Sequence, residues 1–161
     1  MLSKELQIGK AGEHLVCCDL ILQGYNAFLA DQGLPFDVIV EKDGILKRIQ
    51  VKSTMSLKTY GKANNIYRFG TRSGTSGSPH VTKDAEVDCY AFVALDIKTI
   101  AYIPISEMLS KSGKVKTVVD FKSKRISYEG RIYQNGTRRT PDWGKCIEGF
   151  GNFSEAMKHE I

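Results

Sequence analysis

No Cys-x-x-Cys pair occurs in this sequence: Cys17 and Cys18 are adjacent, while Cys89 and Cys146 stand alone. That spacing excludes the frameworks in which paired cysteines hold zinc, and the four thiols read as reduced side chains, mostly small core residues. No apolar run approaches the roughly 18 residues that a membrane-spanning helix needs, so no membrane association is expected. The N-terminal residues lack the charged, apolar and small-residue succession of a secretory signal, which makes an intracellular, cytoplasmic protein the expectation. Internal repeats and long low-complexity tracts are also missing. The nearest approach to one is Ser73-Gly-Thr-Ser-Gly-Ser-Pro79, which reads as a mobile loop.

Acidic residues are absent from Lys47 to Arg72, where seven basic residues give a local charge of +7. From Lys111 to Lys145 ten basic residues stand against Asp120, Glu129 and Asp142. The whole chain is only +5, with 23 Lys and Arg against 18 Asp and Glu, so the remainder is net acidic. Such segregation fits a nucleic-acid footprint, with a solvated basic face as the alternative. What remains is ordinary for a folded protein: 161 residues, 42% hydrophobic and 25% charged, enough for one domain with a real core. Within it, residues 1–110 are read as the core and 111–161 as a basic extension packed on it.

Residues 3 to 23 are expected to form a helix, opened by Ser3 as N-cap and stopped by Gly24. Leu2, Leu6, Gly9, Glu13, Val16 and Leu20 share one stripe, so Glu13 occupies a place where an apolar side chain belongs. It either serves a site or pairs with a lysine. Tyr25 to Ala30 suits a strand, as do Phe36 to Lys42 and Ile45 to Ser53, which are separated by Asp43-Gly44, a strong hairpin signal. A two-residue turn there pairs Lys42 with Ile45, Val40 with Lys47, Val38 with Ile49 and Asp37 with Gln50. Val87 to Leu95 and Thr99 to Ile103 form a further pair of strands, ended by Pro104. Ser106 to Ser110 suits a short helix, Val115 to Phe121 and Arg125 to Tyr133 weaker strands, and Ser154 the cap of a last helix ending near His159. The order argues α+β or α/β with a mixed sheet.

Opposed side chains on an antiparallel pair share a face, and so do residues two apart on one strand. Asp37, Gln50 and Lys52 are therefore expected to cluster at one end of the hairpin, with Phe36, Val38, Val40, Ile49 and Val51 on the opposite, core face. Phosphodiester hydrolysis at neutral pH calls for a hard cation, and Mg²⁺ prefers carboxylate, carbonyl and water oxygens. Asp37 is the candidate anchoring ligand, with the Gln50 amide oxygen and the Val51 carbonyl beside it. Glu13 joins if its helix packs over this end. Lys52 is placed to position water or neutralise phosphate. A polar face that is merely solvated is the other reading of the same residues.

Glu13 in Gly9-Lys-Ala-Gly-Glu-His, Pro35-Phe-Asp37 and Ile49-Gln-Val-Lys52-Ser-Thr resemble, in order and spacing, the PD-(D/E)XK nuclease core. The resemblance spans roughly residues 4 to 105 and implies a restriction-endonuclease-like fold and one Mg²⁺-dependent site built from Glu13, Asp37, Gln50 and Lys52. The Gln-Val-Lys-Ser form, Val87-Asp-Cys-Tyr-Ala-Phe-Val and Tyr102-Ile-Pro are most similar to homing endonucleases of bacterial group I introns, with archaeal-type Holliday junction resolvases next. A bacterial or phage-infected host follows from the same likeness. Two departures stand out: Phe36 splits Pro35 from Asp37, and Gln50 replaces an acid. A non-catalytic DNA-binding module on a decayed nuclease scaffold is the rival reading.

Double-stranded DNA is the expected partner, and cutting both strands calls for two sites, hence a homodimer or homotetramer. Arg68 and Arg72 alternate with apolar residues and are candidates for reading guanine edges. Lys58 and Lys62, with Lys122, Lys124, Arg125, Arg138 and Arg139 in the C-terminal part, are candidates for phosphate contacts. His80 reads as incidental, Trp143 as a packing anchor, and Tyr128 and Tyr133 as core or rim residues.

Overall fold

The structure, a computed structural model, describes residues 3–57, 65–72, 86–125 and 145–159. Helix α1 (Lys4–Leu22) is opened by Ser3, whose hydroxyl accepts the Leu6 N–H at 3.3 Å. It is closed at Gly24, which sits at φ +86°, a conformation that costs glycine little. Strands β1 (Asn26–Leu29), β2 (Val38–Lys42) and β3 (Ile45–Thr54) follow as an antiparallel meander. The hairpin register is the expected one, from Lys42↔Ile45 to Val38↔Ile49, and Asp43 and Gly44 both take positive φ at the turn.

Strand β3 then pairs in parallel with β5 (Cys89–Ala94), which is antiparallel to β6 (Thr99–Pro104). The result is a five-stranded mixed sheet of order β1-β2-β3-β5-β6. A separate ribbon pairs β4 (Tyr67–Gly70) with β7 (Val118–Phe121). Short helices α2 (Ile105–Met108) and α3 (Phe153–Ala156) and a 3₁₀ turn at Ile147–Gly149 complete the described elements. The fold is thus mixed α+β around a mixed sheet, as expected.

Both faces of the sheet are covered. On one, Val16 and Leu20 of α1 and Phe153 and Met157 pack on Val38, Val40, Ile49, Val51, Ala91 and Val93. On the other, the β4–β7 ribbon lays Tyr67, Phe69 and Phe121 over Tyr90, Phe92 and Ile103. That is why Cys89–Ala94 is an uninterrupted buried run with no polar alternation. Parts of the chain beyond residue 111 thus contribute to both cores, through β7 and through Phe153.

Several local expectations are corrected. Leu6 is exposed, and the face of α1 that packs is Gly12, Val16 and Leu20. Phe36 precedes β2 and packs with the ribbon-side core, not with Val38 and Val40. The last helix is capped by Asn152, whose side chain accepts the Glu155 N–H, rather than by Ser154, and it ends at Ala156. The strand expected over Val115 to Phe121 begins at Val118, with Val115 in an isolated bridge to Leu109. Of the four free thiols only Cys89 is buried, and Cys18 is exposed.

Candidate active site

Asp37 lies where β2 has just begun to leave its partner. Its N–H donates to the Ile49 carbonyl at 2.9 Å, and its own carbonyl accepts the Ala30 N–H at 2.9 Å. This step shifts Asp37 off a simple opposition to Gln50, yet the two side chains still meet. One carboxylate oxygen, Oδ2, accepts the Gln50 Nε2–H and also the backbone N–H of Val51, the latter at 2.7 Å. Val51 continues along β3 past the end of β2, so its N–H has no ladder partner on that side, and the Asp37 carboxylate satisfies it.

Gln50 is buried opposite Tyr90, and Lys52 is half-buried opposite Phe92 across the parallel pair. Burial pushes the Asp37 carboxyl above the usual carboxylate range; the Val51 N–H opposes the rise, Glu13 adds to it, and Lys52 and Lys10 offset it. Burial also lowers the Lys52 ammonium, with Asp37 pulling the other way. The two groups hold each other's charge in a site with restricted access to water.

Glu13 reaches this site because of its neighbour. A Cβ at Gly12 would lie 1.8 Å from Ser53 Oγ and 2.9 Å from Ser53 Cβ, so α1 seats on β3 only with glycine at this position. The Ser53 hydroxyl at this contact is buried and has no hydrogen-bond partner among the described residues. Glu13, one residue on, has a side chain 15% exposed and forms an ion pair with Lys10 at 2.6 Å. Glu13 thus pairs with a lysine, one of its two sequence readings, and it lies close enough to Asp37 to help raise the Asp37 pKa.

The donor set suits a hard divalent cation: two carboxylates, the Gln50 amide oxygen left over once its nitrogen faces Asp37, and the Val51 carbonyl. Mg²⁺ is commonly held by one or two carboxylates and completes its shell with water. Among the described residues no group of three or more His, Cys, Asp or Glu side chains is gathered as a metal site, so the neutral oxygens and water would have to complete the shell.

The basic residues divide into distinct groups. Arg68 forms a two-pronged ion pair with Asp120, Nε–Oδ1 and Nη2–Oδ2 both 2.8 Å, across the β4–β7 ribbon. The Asp120 side chain is 1% exposed. Arg72, just beyond β4, is exposed, as are Lys124 and Arg125. Lys122 is half-buried and joined to the 145–147 segment by backbone bonds. Glu148 fastens the Lys124 turn by accepting the Ser123 hydroxyl at 2.5 Å and the Lys124 N–H at 3.1 Å. Lys58, Lys62, Arg138 and Arg139 lie outside the described residues, as do His80, Tyr128, Tyr133, Trp143, the Ser73 to Pro79 loop and most of the strand expected over Arg125 to Tyr133.

Sequence reasoning passed over two site residues. Lys10 stands one turn before Glu13, a spacing at which opposite charges meet on a helix. Gly12 was legible only as part of a Gly-x-x-Gly-Glu string, because its demand for space comes from Ser53, forty-one positions away.

In overall structure the chain is similar to a bacterial homing endonuclease, I-Ssp6803I, with a TM-score of 0.55 and 17% identity over 80% of this chain and 83% of that one. At that identity the likeness concerns the fold. No curated protein matches the sequence. The family described as PD-(D/E)XK endonuclease matches residues 3–133, a span that holds Glu13, Asp37, Gln50 and Lys52. Endonucleases of this family generally use divalent metal ions. By that match, which covers most of its length, the chain belongs to the PD-(D/E)XK endonuclease family.

Proposed function

We propose that the protein is a Mg²⁺-dependent, site-specific double-stranded DNA endonuclease, acting as a homing endonuclease, in which Glu13, Asp37, Gln50 and Lys52 carry out phosphodiester hydrolysis. The observation that carries this reading is the Asp37 carboxylate, bonded to the Gln50 amide and the Val51 N–H and electrostatically coupled to Lys52 and Glu13. Resemblance in fold to a homing endonuclease supports the choice of substrate.

Asp37 and Glu13 supply the negative charge that would hold the ion, and Gln50 and the Val51 carbonyl add neutral oxygens. A bound Mg²⁺ supplies positive charge at the phosphate and acidifies water. The two hydrogen bonds on Asp37 Oδ2 fix the carboxylate plane, so its other oxygen is oriented before any ligand arrives. Lys52 projects from the same strand face as Gln50. Its ammonium orients the attacking water or the phosphate oxygens, and its half-burial strengthens that contact. The water oxygen gives up a proton to solvent and bonds to phosphorus as the P–O bond to the leaving sugar breaks, and the leaving oxygen takes a proton from solvent water.

DNA contacts are assigned to Arg72 beside the ribbon and to Lys58, Lys62, Lys122, Lys124, Arg125, Arg138 and Arg139 along the backbone. Arg68 enters through the ribbon it holds together. Cutting two strands calls for a homodimer or homotetramer. The test is cleavage of a pooled library containing linear duplexes and a four-way junction, with Mg²⁺ or chelator, by wild type and Asp37→Ala. Mg²⁺-dependent cuts at one long linear site, lost in the variant, are expected. Cuts confined to the junction would make it a resolvase, and salt-sensitive binding without any cut would make it a binding module.

A further inference from the structure

Among the described residues two ammonium groups lie in the field of the Asp37 carboxylate: Lys52, expected from the motif, and Lys10, which the motif does not include. Lys10 Nζ is 2.6 Å from Glu13 Oε2. Its charge acts on Asp37 as well, so Glu13, Asp37, Lys10 and Lys52 form a quartet with balanced charge. Another lysine–glutamate pair in the molecule, Lys158–Glu155, has the same spacing and the same 2.6 Å, but its side chains are 56% and 62% exposed. Exposed pairs of that kind contribute little. The Lys10–Glu13 pair is different: the carboxylate is sheltered at 15% exposure, whereas the lysine lies on the solvent side at 39%. The ammonium therefore has solvent beside it into which it can move.

We propose that Lys10 is a built-in stand-in for the metal: in the metal-free protein it holds the Glu13 carboxylate, and it releases that carboxylate when a divalent cation binds. The physical reason is competition for an oxygen. Glu13 Oε2 already accepts a short bond from Lys10, and a small cation that needs oxygens at about 2.0–2.1 Å must share Glu13 or displace the lysine. Without either cation, two carboxylates would face each other in a half-buried site, which is unfavourable. Lys10 removes that cost in the resting protein, and its release on binding makes the metal site self-limiting in affinity. The inference rests on the nuclease reading only in taking Glu13 and Asp37 as metal ligands.

The experiment uses the full chain without DNA and Mn²⁺ as the probe. Titration calorimetry on wild type, Lys10→Met, Lys10→Arg and Asp37→Ala is combined with acetylation of lysines read by peptide mass spectrometry, with and without Mn²⁺. Several-fold tighter Mn²⁺ binding by Lys10→Met, wild-type affinity in Lys10→Arg, and faster acetylation of Lys10 once Mn²⁺ is added are expected together. Unchanged or weaker binding by Lys10→Met, or Lys10 acetylation that Mn²⁺ leaves unchanged or slows, would overturn the stand-in. Ion binding that survives Asp37→Ala would overturn the site assignment and the stand-in with it. Tighter binding and Lys10 release in a protein that cuts no DNA would keep the stand-in while the nuclease reading fell.

Discussion

Asp37 is a carboxylate kept in a place that disfavours its charge, and the sign of that effect is measurable. Its pKa is raised, chiefly by burial, so ionised Asp37 destabilises the folded, metal-free chain. Well below the unfolded value, near about 3.9, both states are protonated and the cost is absent; it grows as pH rises towards the folded value and stays in full above it. Asp37→Asn, which keeps an oxygen for the Val51 N–H, should therefore raise the Tm in chelator at neutral pH, with the gain fading as pH falls towards about 4, while cleavage is lost. Thermal melts across pH check this, and a loss of Tm at neutral pH would contradict it. Lys52→Met tests the other member of the pair: cleavage should fall by about 10²–10³-fold with Mn²⁺ binding not weakened. At this scale Glu13 was legible because it broke an apolar stripe, and Gln50 and Lys52 because strand periodicity put them on one face. Lys10 was not, since a lysine on a helix has no sequence signal that separates a sheltered ion pair from a solvated one.

Elements differ in how far their partners lie along the chain, and this decides what could be read in advance. The β2–β3 register from Lys42↔Ile45 to Val38↔Ile49 was legible because Asp43-Gly44 sets a two-residue turn whose register is local, whereas the step that takes Asp37 off its opposition to Gln50 was not. The β4–β7 ribbon was not, because Arg68↔Asp120 pairs residues fifty-two positions apart and neither short strand carries a pattern naming the other. The same ribbon changes how Arg68 is to be understood. Its guanidinium is committed to a carboxylate that is 1% exposed, and Arg68→Ala leaves that charge without its two-pronged partner. A loss of about 2–4 kcal/mol is expected in denaturant unfolding, below the upper range for buried pairs because Arg68 itself is partly exposed. Arg72→Ala, on an exposed side chain, should leave stability within about 0.5 kcal/mol and weaken DNA binding. Helix α1 has its own requirement. Gly12→Ala pushes a methyl group into Ser53 and should cost about 1–3 kcal/mol while moving Glu13 away from Asp37, so that both stability and cleavage fall.

For the whole molecule, the mixed sheet is packed on both faces. Helices α1 and α3 cover one face and the β4–β7 ribbon the other, and β3 carries Gln50 and Lys52 beside Tyr90 and Phe92 of the ribbon-side core. Arg72, Lys124 and Arg125 are exposed cations, and the Glu148 carboxylate stiffens the turn that carries two of them by accepting the Ser123 hydroxyl and the Lys124 N–H. If these cations meet phosphates, each neutral substitution removes one counterion-release contact. The slope of log binding constant against log salt for duplex DNA should then become shallower by about 0.9 per substitution. Arg72→Ala, Lys124→Ala and Arg125→Ala, singly and combined, should give additive changes in slope at unchanged Tm, as fluorescence anisotropy on a labelled duplex at graded salt would show. A slope insensitive to all three would place the duplex elsewhere on the surface. Ser123→Ala adds a control of a different kind: it removes no charge, so losing the hydroxyl's bonds to Glu148 and to the Arg125 N–H should weaken binding by loosening the turn while leaving the salt slope where it was.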